Sequence, residues 1–397
     1  MIALSDRIQR LSESETLAMA QKSRELKAKG FNVINLSLGE PDFFTPDPVK
    51  EAAIQAIKNN HSFYTPVNGY PDLRQSISNK LRRDNQLDYS PEQIVVTTGA
   101  KHALINVLMC LINPGDEVII AAPYWVSYRD MVQIAEGKPV FVYAGIENDF
   151  KITPHQLEAA ITPKTKAFMF SSPCNPTGSV YTAEELKAFA DVLSRHPHVY
   201  VLSDEIYEHI NFMGRHESIA SHQKIRDQVI VINGVSKGFA MTGWRIGYLA
   251  AHLDIAKACT KLQGQFTSGT NSIAQKAAIA AMEADPASTR HMLLKFRERR
   301  DLMLGLLKEI PGLIINEPQG AFYLFPNVKA YLGRSDGSVK IENSTALCMH
   351  LLNKAHVALV PGDAFGDPQC IRLSYATSND LLIEAVGRIK HTLAELK

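Results

Sequence analysis

Between residues 94 and 249 the chain repeats one pattern: a short, almost unbroken run of β-branched and aromatic residues, then a longer stretch of helical character. Ile94-Val95-Val96-Thr97 precedes a helix from about Lys101, and Val118-Ile119-Ile120 precedes one from about Ser127. Val140–Tyr143, Ala167–Phe170, Val199–Leu202, Val229–Ile232 and Ile246–Leu249 continue the series. Runs without polar alternation belong to strands buried on both faces. Strands separated by helices make an α/β domain with a largely parallel sheet. At 397 residues there is room for a second, smaller core.

The flanks read differently. Residues 12 to 29 are polar and helix-forming, and end at Gly30; Val33–Gly39 is strand-like. Pro41 to Pro48 reads as a segment crossing between domains, with Pro48 opening a helix. Beyond about residue 275 the texture is helical, densest in Arg, Lys and Leu over Arg290–Glu309. Short strands are expected at Leu313–Ile315, Phe322–Phe325, Val357–Val360 and Ile371–Leu373, before a last helix from Asn379. The domain expectation is therefore an N-terminal arm and part of the small domain over 1–47, a large domain over 48–285, and a small α+β domain over 286–397.

A net charge of +1 with no dense Lys/Arg run gives no footprint for nucleic acid or an anionic membrane. No apolar run approaches the roughly 18 residues of a membrane-spanning helix. The N-terminus lacks the basic flank and apolar centre of a signal peptide. Five scattered cysteines, none in a CxxC pair, point to a reducing compartment rather than a disulfide framework or zinc site. A cytoplasmic protein without a metal is expected.

Four short stretches carry the chemistry, each at a strand end. In Asn233-Gly234-Val235-Ser236-Lys237, desolvation of a lysine at a core strand's end lowers its pKa and frees an amine for Schiff-base chemistry. Ser236, with Arg245 in Gly243-Trp244-Arg245, suits a phosphate. A strand-end lysine also reads as a surface residue whose stem lies along the core. In Ser203-Asp204-Glu205-Ile206-Tyr207, Asp204 is placed to hold a proton on a pyridine nitrogen and Tyr207 to reach a ring oxygen. Capping of a following helix explains the same Ser and Asp. Ser172–Gly178 contains two X-Pro bonds, either compatible with cis, and presents Asn175; a plain turn reads equally well. Thr98-Gly99-Ala100-Lys101 opens a helix, whose N-terminus is a ready phosphate site. Ligands of open α/β sheets bind outside the carboxyl ends of the strands, and all four stretches would meet there.

Together these motifs resemble the fold type I pyridoxal-phosphate aminotransferases, in the bacterial aspartate aminotransferase subgroup that carries SPxNPTG, SDEIYE and NGxSKxFAMTGWRIGY. Ser172–Gly178, Ser203–Glu208 and Asn233–Tyr248 match them, with Cys174 in the variable position. The likeness runs from Gly39-Glu40-Pro41-Asp42 to Arg372–Ala376. It implies a seven-stranded mixed, mostly parallel sheet flanked by helices, beside a smaller α+β domain. It implies pyridoxal 5′-phosphate on Lys237, which also moves the substrate proton. Asp204 would pair with the pyridine nitrogen, Asn175 and Tyr207 with the ring oxygen, and Trp125 would lie against the ring. Ala100, Lys101, Ser236 and Arg245 would hold the phosphate, joined by Tyr64 of a second subunit, so a homodimer is expected. Arg372 would take the substrate α-carboxylate as a bidentate pair, against Gly39.

Substrates would be an amino acid and a 2-oxo acid, with aspartate or glutamate foremost. Another subgroup binds the distal carboxylate with a partner arginine before the helix that follows Ser268–Asn271; here no Arg lies between Arg245 and Arg290. The resemblance offers Lys101 and Thr16 instead, and leaves prephenate, aromatic and neutral amino acids or a β-lyase reaction as alternatives. A ligand-sensing module on this fold would carry a DNA-binding domain ahead of a Gly39 that comes too early to allow one. No GxGxxG or GxxxxGK[ST] is present, and His216-Glu217 with His222 misses HExxH spacing, so these histidines read as surface residues.

Overall fold

The computed structural model describes residues 4–11 and 15–397. Its strands, in chain order, are β1 (Ile34–Asn35), β2 (Ile94–Thr97), β3 (Glu117–Ala122), β4 (Lys138–Tyr143), β5 (Thr165–Ser171), β6 (Tyr200–Asp204), β7 (Val229–Gly234) and β8 (Gly247–Ala250), then β9 (Tyr323–Leu324), β10 (Val357–Ala358), β11 (Val360–Pro361) and β12 (Ile371–Ser374). Strands β2 to β8 form one seven-stranded sheet in the order β2-β8-β7-β6-β5-β3-β4. Only β8 runs against its neighbours; β3 to β7 pair in parallel.

Both faces of the sheet are covered, which is why its strands lack polar alternation. Val96, Ile119, Phe168, Val201 and Val231 point into one core. Their chain neighbours Val95, Ile120, Met169, Leu202 and Ile232 point into another on the opposite face. A third core joins Met19, Val33, Ile34 and Leu36 to Phe296, Leu351, Leu373 and Ile389. The chain's two ends therefore pack together away from the sheet.

One edge of the sheet gathers the chemistry. The ends of β7, β6 and β5 lie side by side and the start of β8 separates β7 from the end of β2, with Thr97 and Gly234 both opposite Gly247 and Ser171 opposite Asp204. The expected helices appear at Glu15–Ala28, Asp47–Lys58, Ala100–Leu111, Ser127–Ile134, Arg290–Lys308 and Asn379–Ala394. Residues 12–14 of the first expected helix lie outside the described residues.

Three strand expectations change. Val33–Gly39 contracts to β1. Val357–Val360 divides at Leu359, because β10 pairs with β1 while β11 pairs with β12. Leu313–Ile315 makes only an isolated bridge from Ile314 to Asn327, between Pro311-Gly312 and Pro318, with Ile314 turned to solvent. No helix follows Asp204, so capping does not explain Ser203-Asp204. His216 is not a surface residue: it is buried, with Nε2 3.0 Å from Glu205 Oε2, while His222 is half-buried.

Candidate active site

The sheet edge opens into a cleft of about 410 Å³, lined by Thr16, Gly39, Ala100, Lys101, Trp125, Asn175, Asp204, Tyr207, Ser236, Lys237, Arg245 and Arg372. Every candidate residue except Tyr64 faces this space. Tyr64 is fully exposed on the chain's surface.

Lys237 follows β7 at a point where backbone meets backbone: a Cβ on Gly234 would stand 2.8 Å from Ile246 O. Its Nζ donates to Gly39 O at 2.5 Å. Burial in the cleft brings the amine down to about 8, with Arg372 and Arg245 adding to the effect and Glu40 opposing it. At the end of β6, Asp204 is buried and accepts from Tyr128 Oη at 2.7 Å and from the Ile206 amide at 3.3 Å. Burial lifts its carboxyl to about 6, a rise that the Tyr128 bond moderates.

Beyond β5, the Ser172–Pro173 bond is cis and Asn175–Pro176 is trans, and Asn175 is buried. Its Oδ1 accepts from Arg372 at 2.9 Å. Arg372, on β12, also donates to Ser37 O at 2.6 Å, and its Nε has no protein acceptor. Its guanidinium carbon lies 4.6 Å and 4.8 Å from the ring centres of Tyr323 and Phe365.

At the end of β2, Gly99 takes φ +84°, a conformation that side chains disfavour, as the N-cap of helix Ala100–Leu111. A Cβ there would overlap the Arg245 guanidinium, and one on Gly247 would overlap the Ala100 amide nitrogen. Arg245 is itself left-handed, at φ 57°, and donates to Thr242 O at 2.9 Å. The first turn of this helix, Ser236 and Arg245 thus line one cleft, where free N-terminal amides and a guanidinium suit an anion. Lys101 Nζ lies 4.9 Å from the Trp125 ring; burial and Arg245 lower its pKa. Thr16 Oγ1 is buried without a partner.

Sequence reasoning missed Tyr128 and Tyr323, as well as Glu40 and Thr242, which hydrogen-bond to each other at the cleft. Tyr128 lies in the helix Ser127–Ile134 and Trp125 just ahead of it, and the two rings meet edge to face with centres 5.6 Å apart. Cys174, near the site, carries no lowered pKa: burial pushes its thiol up.

The profile of the family described as aminotransferase class I and II matches residues 32–389. The chain belongs to that family. This aminotransferase is 48% identical to the aspartate aminotransferase of Geobacillus stearothermophilus over 388 residues, 97% of this chain and 98% of that protein. It is 47% identical over 401 residues to the bifunctional aspartate aminotransferase and glutamate/aspartate-prephenate aminotransferase of Petunia hybrida, covering 100% of this chain and 84% of the other. Among solved structures, the aspartate aminotransferase of Rhizobium meliloti superposes with a TM-score of 0.97 at 41% identity, covering both chains fully. That of Thermus thermophilus with maleate gives 0.93 at 39% identity, covering 99% and 100%.

Aminotransferases of this family depend on pyridoxal 5′-phosphate, and the cleft fits that group. It offers a desolvated amine at Lys237, a buried acid at Asp204, a helix N-terminus held against the Arg245 guanidinium by the glycine at 99, and donors without protein partners at Arg372 and Thr16.

Proposed function

We propose that the enzyme moves the amino group of L-aspartate or L-glutamate to a 2-oxo acid, with 2-oxoglutarate and oxaloacetate as acceptors and prephenate as the alternative acceptor. The observation that carries this reading is the convergence of Lys237, Asp204 and Arg372 on one cleft. The names of the relatives support the substrate class, since they pair aspartate with prephenate.

Pyridoxal 5′-phosphate, when bound, supplies the carbonyl that condenses with amines and the ring that accepts electrons. The chain supplies the rest. Ala100, Lys101, Ser236 and Arg245 hold the phosphate, and Asp204 holds the proton on the ring nitrogen, steadied by Tyr128. Asn175 and Tyr207 address the ring oxygen while Trp125 covers the ring. Arg372 grips the α-carboxylate, which fixes the Cα–H bond within reach of Lys237 Nζ. An amine with its pKa near neutrality takes that proton and returns it. Lys101 and Thr16 meet the distal carboxylate.

The active unit is a homodimer in which Tyr64 of the second copy reaches the phosphate. Full exposure of Tyr64, with Phe63 and Phe44 nearly as exposed, supports such an interface. The domain division is 48–285 for the large domain and 286–397 for the small one, with residues 1–47 as the arm; the shared core of Met19–Leu36 with Met292–Leu396 supports it. The enzyme resides in the cytoplasm, where its five free cysteines would stay reduced. Among the described residues no helix is long and apolar enough to cross a membrane.

The test is the near-ultraviolet and visible spectrum of the holoprotein before and after L-aspartate, then after 2-oxoglutarate or prephenate. A yellow band that aspartate bleaches and the oxo acid restores is expected. A band that only aromatic or neutral amino acids bleach would replace the substrate class. Protein that takes up no cofactor would overturn the reading.

A further inference from the structure

Tyr323 stands where the cofactor end and the carboxylate end of the cleft meet. It lies on β9, with Ser374 of β12 opposite. Arg372 is two residues from Ser374 and so projects from the same face, within diagonal reach of the Tyr323 ring. The ring is fully buried, its centre 4.6 Å from the Arg372 guanidinium carbon. Its hydroxyl sits 2.7 Å from Tyr207 Oη. Where Gly39 passes, a Cβ would overlap that same hydroxyl. One side chain therefore touches the tyrosine beside the cofactor ring, the arginine for the substrate and the glycine just ahead of the crossing segment.

The two phenols set a simple count. Burial raises the pKa of both, Tyr207 the further, although Arg372 pulls each back, so both remain protonated near neutral pH. Two protons share one mutual hydrogen bond, which leaves one O–H to point elsewhere. For Tyr207 to donate into the cleft, Tyr323 must donate to Tyr207. A hydroxyl that accepts one hydrogen bond becomes a stronger donor in the next.

Resting on the aminotransferase reading above, we propose that Tyr323 is a positioning residue with two separable parts. Its hydroxyl aims and strengthens the Tyr207 donor, and its ring seats Arg372 for the substrate carboxylate. A donor at the cofactor's ring oxygen withdraws electron density from the nitrogen bonded to Lys237 and lowers its affinity for protons. Losing the Tyr323 hydroxyl raises the pH at which that nitrogen titrates.

The experiment compares wild-type, Tyr323→Phe, Tyr323→Leu, Tyr207→Phe and Tyr207→Phe/Tyr323→Phe holoenzymes by pH titration of the visible band and by aspartate kinetics. Tyr323→Phe is expected to raise the band's pH midpoint by about 0.5 unit and lower kcat about 3- to 10-fold, with KM within about twofold. Tyr323→Leu is expected to show the same midpoint shift and a KM about tenfold higher, because the ring under Arg372 is gone. The double variant should titrate with Tyr207→Phe alone. A midpoint unchanged in Tyr323→Phe, even with a lowered Tm, would overturn the proposal, as would additive shifts in the double variant. If Tyr323→Leu fails to fold, an unchanged KM in Tyr323→Phe together with the midpoint shift still carries the proposal, and a tenfold KM change there removes it. A wild-type protein with no band at all would instead sink the aminotransferase reading.

Discussion

Two sides of the same six residues, Ser203–Glu208, hold their acids in opposite ways. On the cleft side, Asp204 is buried with one side-chain donor, Tyr128, and burial lifts it to about 6. On the back, Glu205 accepts from Ser203, Ser218 and His216, at 3.0, 2.6 and 3.0 Å. Glu208 pairs with buried Lys80 and accepts from Asn85 at 2.7 Å. Burial alone would raise Glu208, yet Lys80, with His209 and His216, holds it well below the usual carboxylate range. Saturated acids behind the sheet hold a turn that no helix supports. An under-satisfied acid in front is left for a ligand. The front should therefore fail in chemistry with the fold intact, and the back should fail in stability with the chemistry intact.

The sharpest break on the cleft side is Lys237→Ala. Turnover should fall by at least about 10⁴-fold, with the Tm of cofactor-free protein near wild type. Behind the sheet, Lys80→Met or Glu208→Gln should cost about 3–5 kcal/mol in urea unfolding, since either leaves a buried group without its partner. Their kcat per folded molecule should stay within about threefold of wild type, and Lys80→Met/Glu208→Leu should recover most of the lost stability. A single variant with full stability but a hundredfold loss in kcat would erase the distinction.

The pH dependence of the cofactor-free protein sharpens the contrast further, because the two acids carry opposite signs. Asp204 has a folded pKa raised above its ordinary 3.8, so the stability it allows is complete below about 4 and is lost as pH rises through about 6. Asp204→Asn should remove that loss, stabilising the protein at pH 7 relative to wild type by roughly 2–3 kcal/mol. Glu208, held low, gives stability that is present above its ordinary 4.5 and is lost as pH falls below it. Unfolding curves of Asp204→Asn between pH 4 and 7, and of Glu208→Gln from pH 6 downward through 4.5, check the signs.

The sheet was legible because strands buried on both faces have no choice but to be apolar, and its functional residues follow from one rule about strand ends. What escaped was whatever depends on a partner outside the residue's own strand, helix or turn. Tyr323, inside Phe322-Tyr323-Leu324-Phe325, reads as core, because nothing local reveals that its hydroxyl meets Tyr207, 116 residues away. Tyr128 hides in the same way within an amphipathic helix. His216 read as exposed because its polar surroundings give no sign of Glu205. Val357–Val360 read as one strand because an apolar run does not say where it changes neighbours. Tyr64 is a different case: its side chain lies fully exposed on the chain's surface, outside the cleft, so nothing within the chain gives it a site.

The smallest expected effect tests substrate choice within the cleft. Lys101→Ala should lower kcat/KM for aspartate relative to alanine about tenfold, the worth of one point-charge contact. An unchanged ratio would move the distal carboxylate elsewhere.

The central claim is that Lys237, and no other lysine, carries the cofactor. Borohydride reduction of the holoprotein, followed by peptide mass spectrometry, reads it directly. The expected result is a reduced cofactor fixed on the peptide containing Lys237 and none on Lys237→Ala protein. A label on Lys101 or any other lysine, with Lys237 unmodified, would contradict the account.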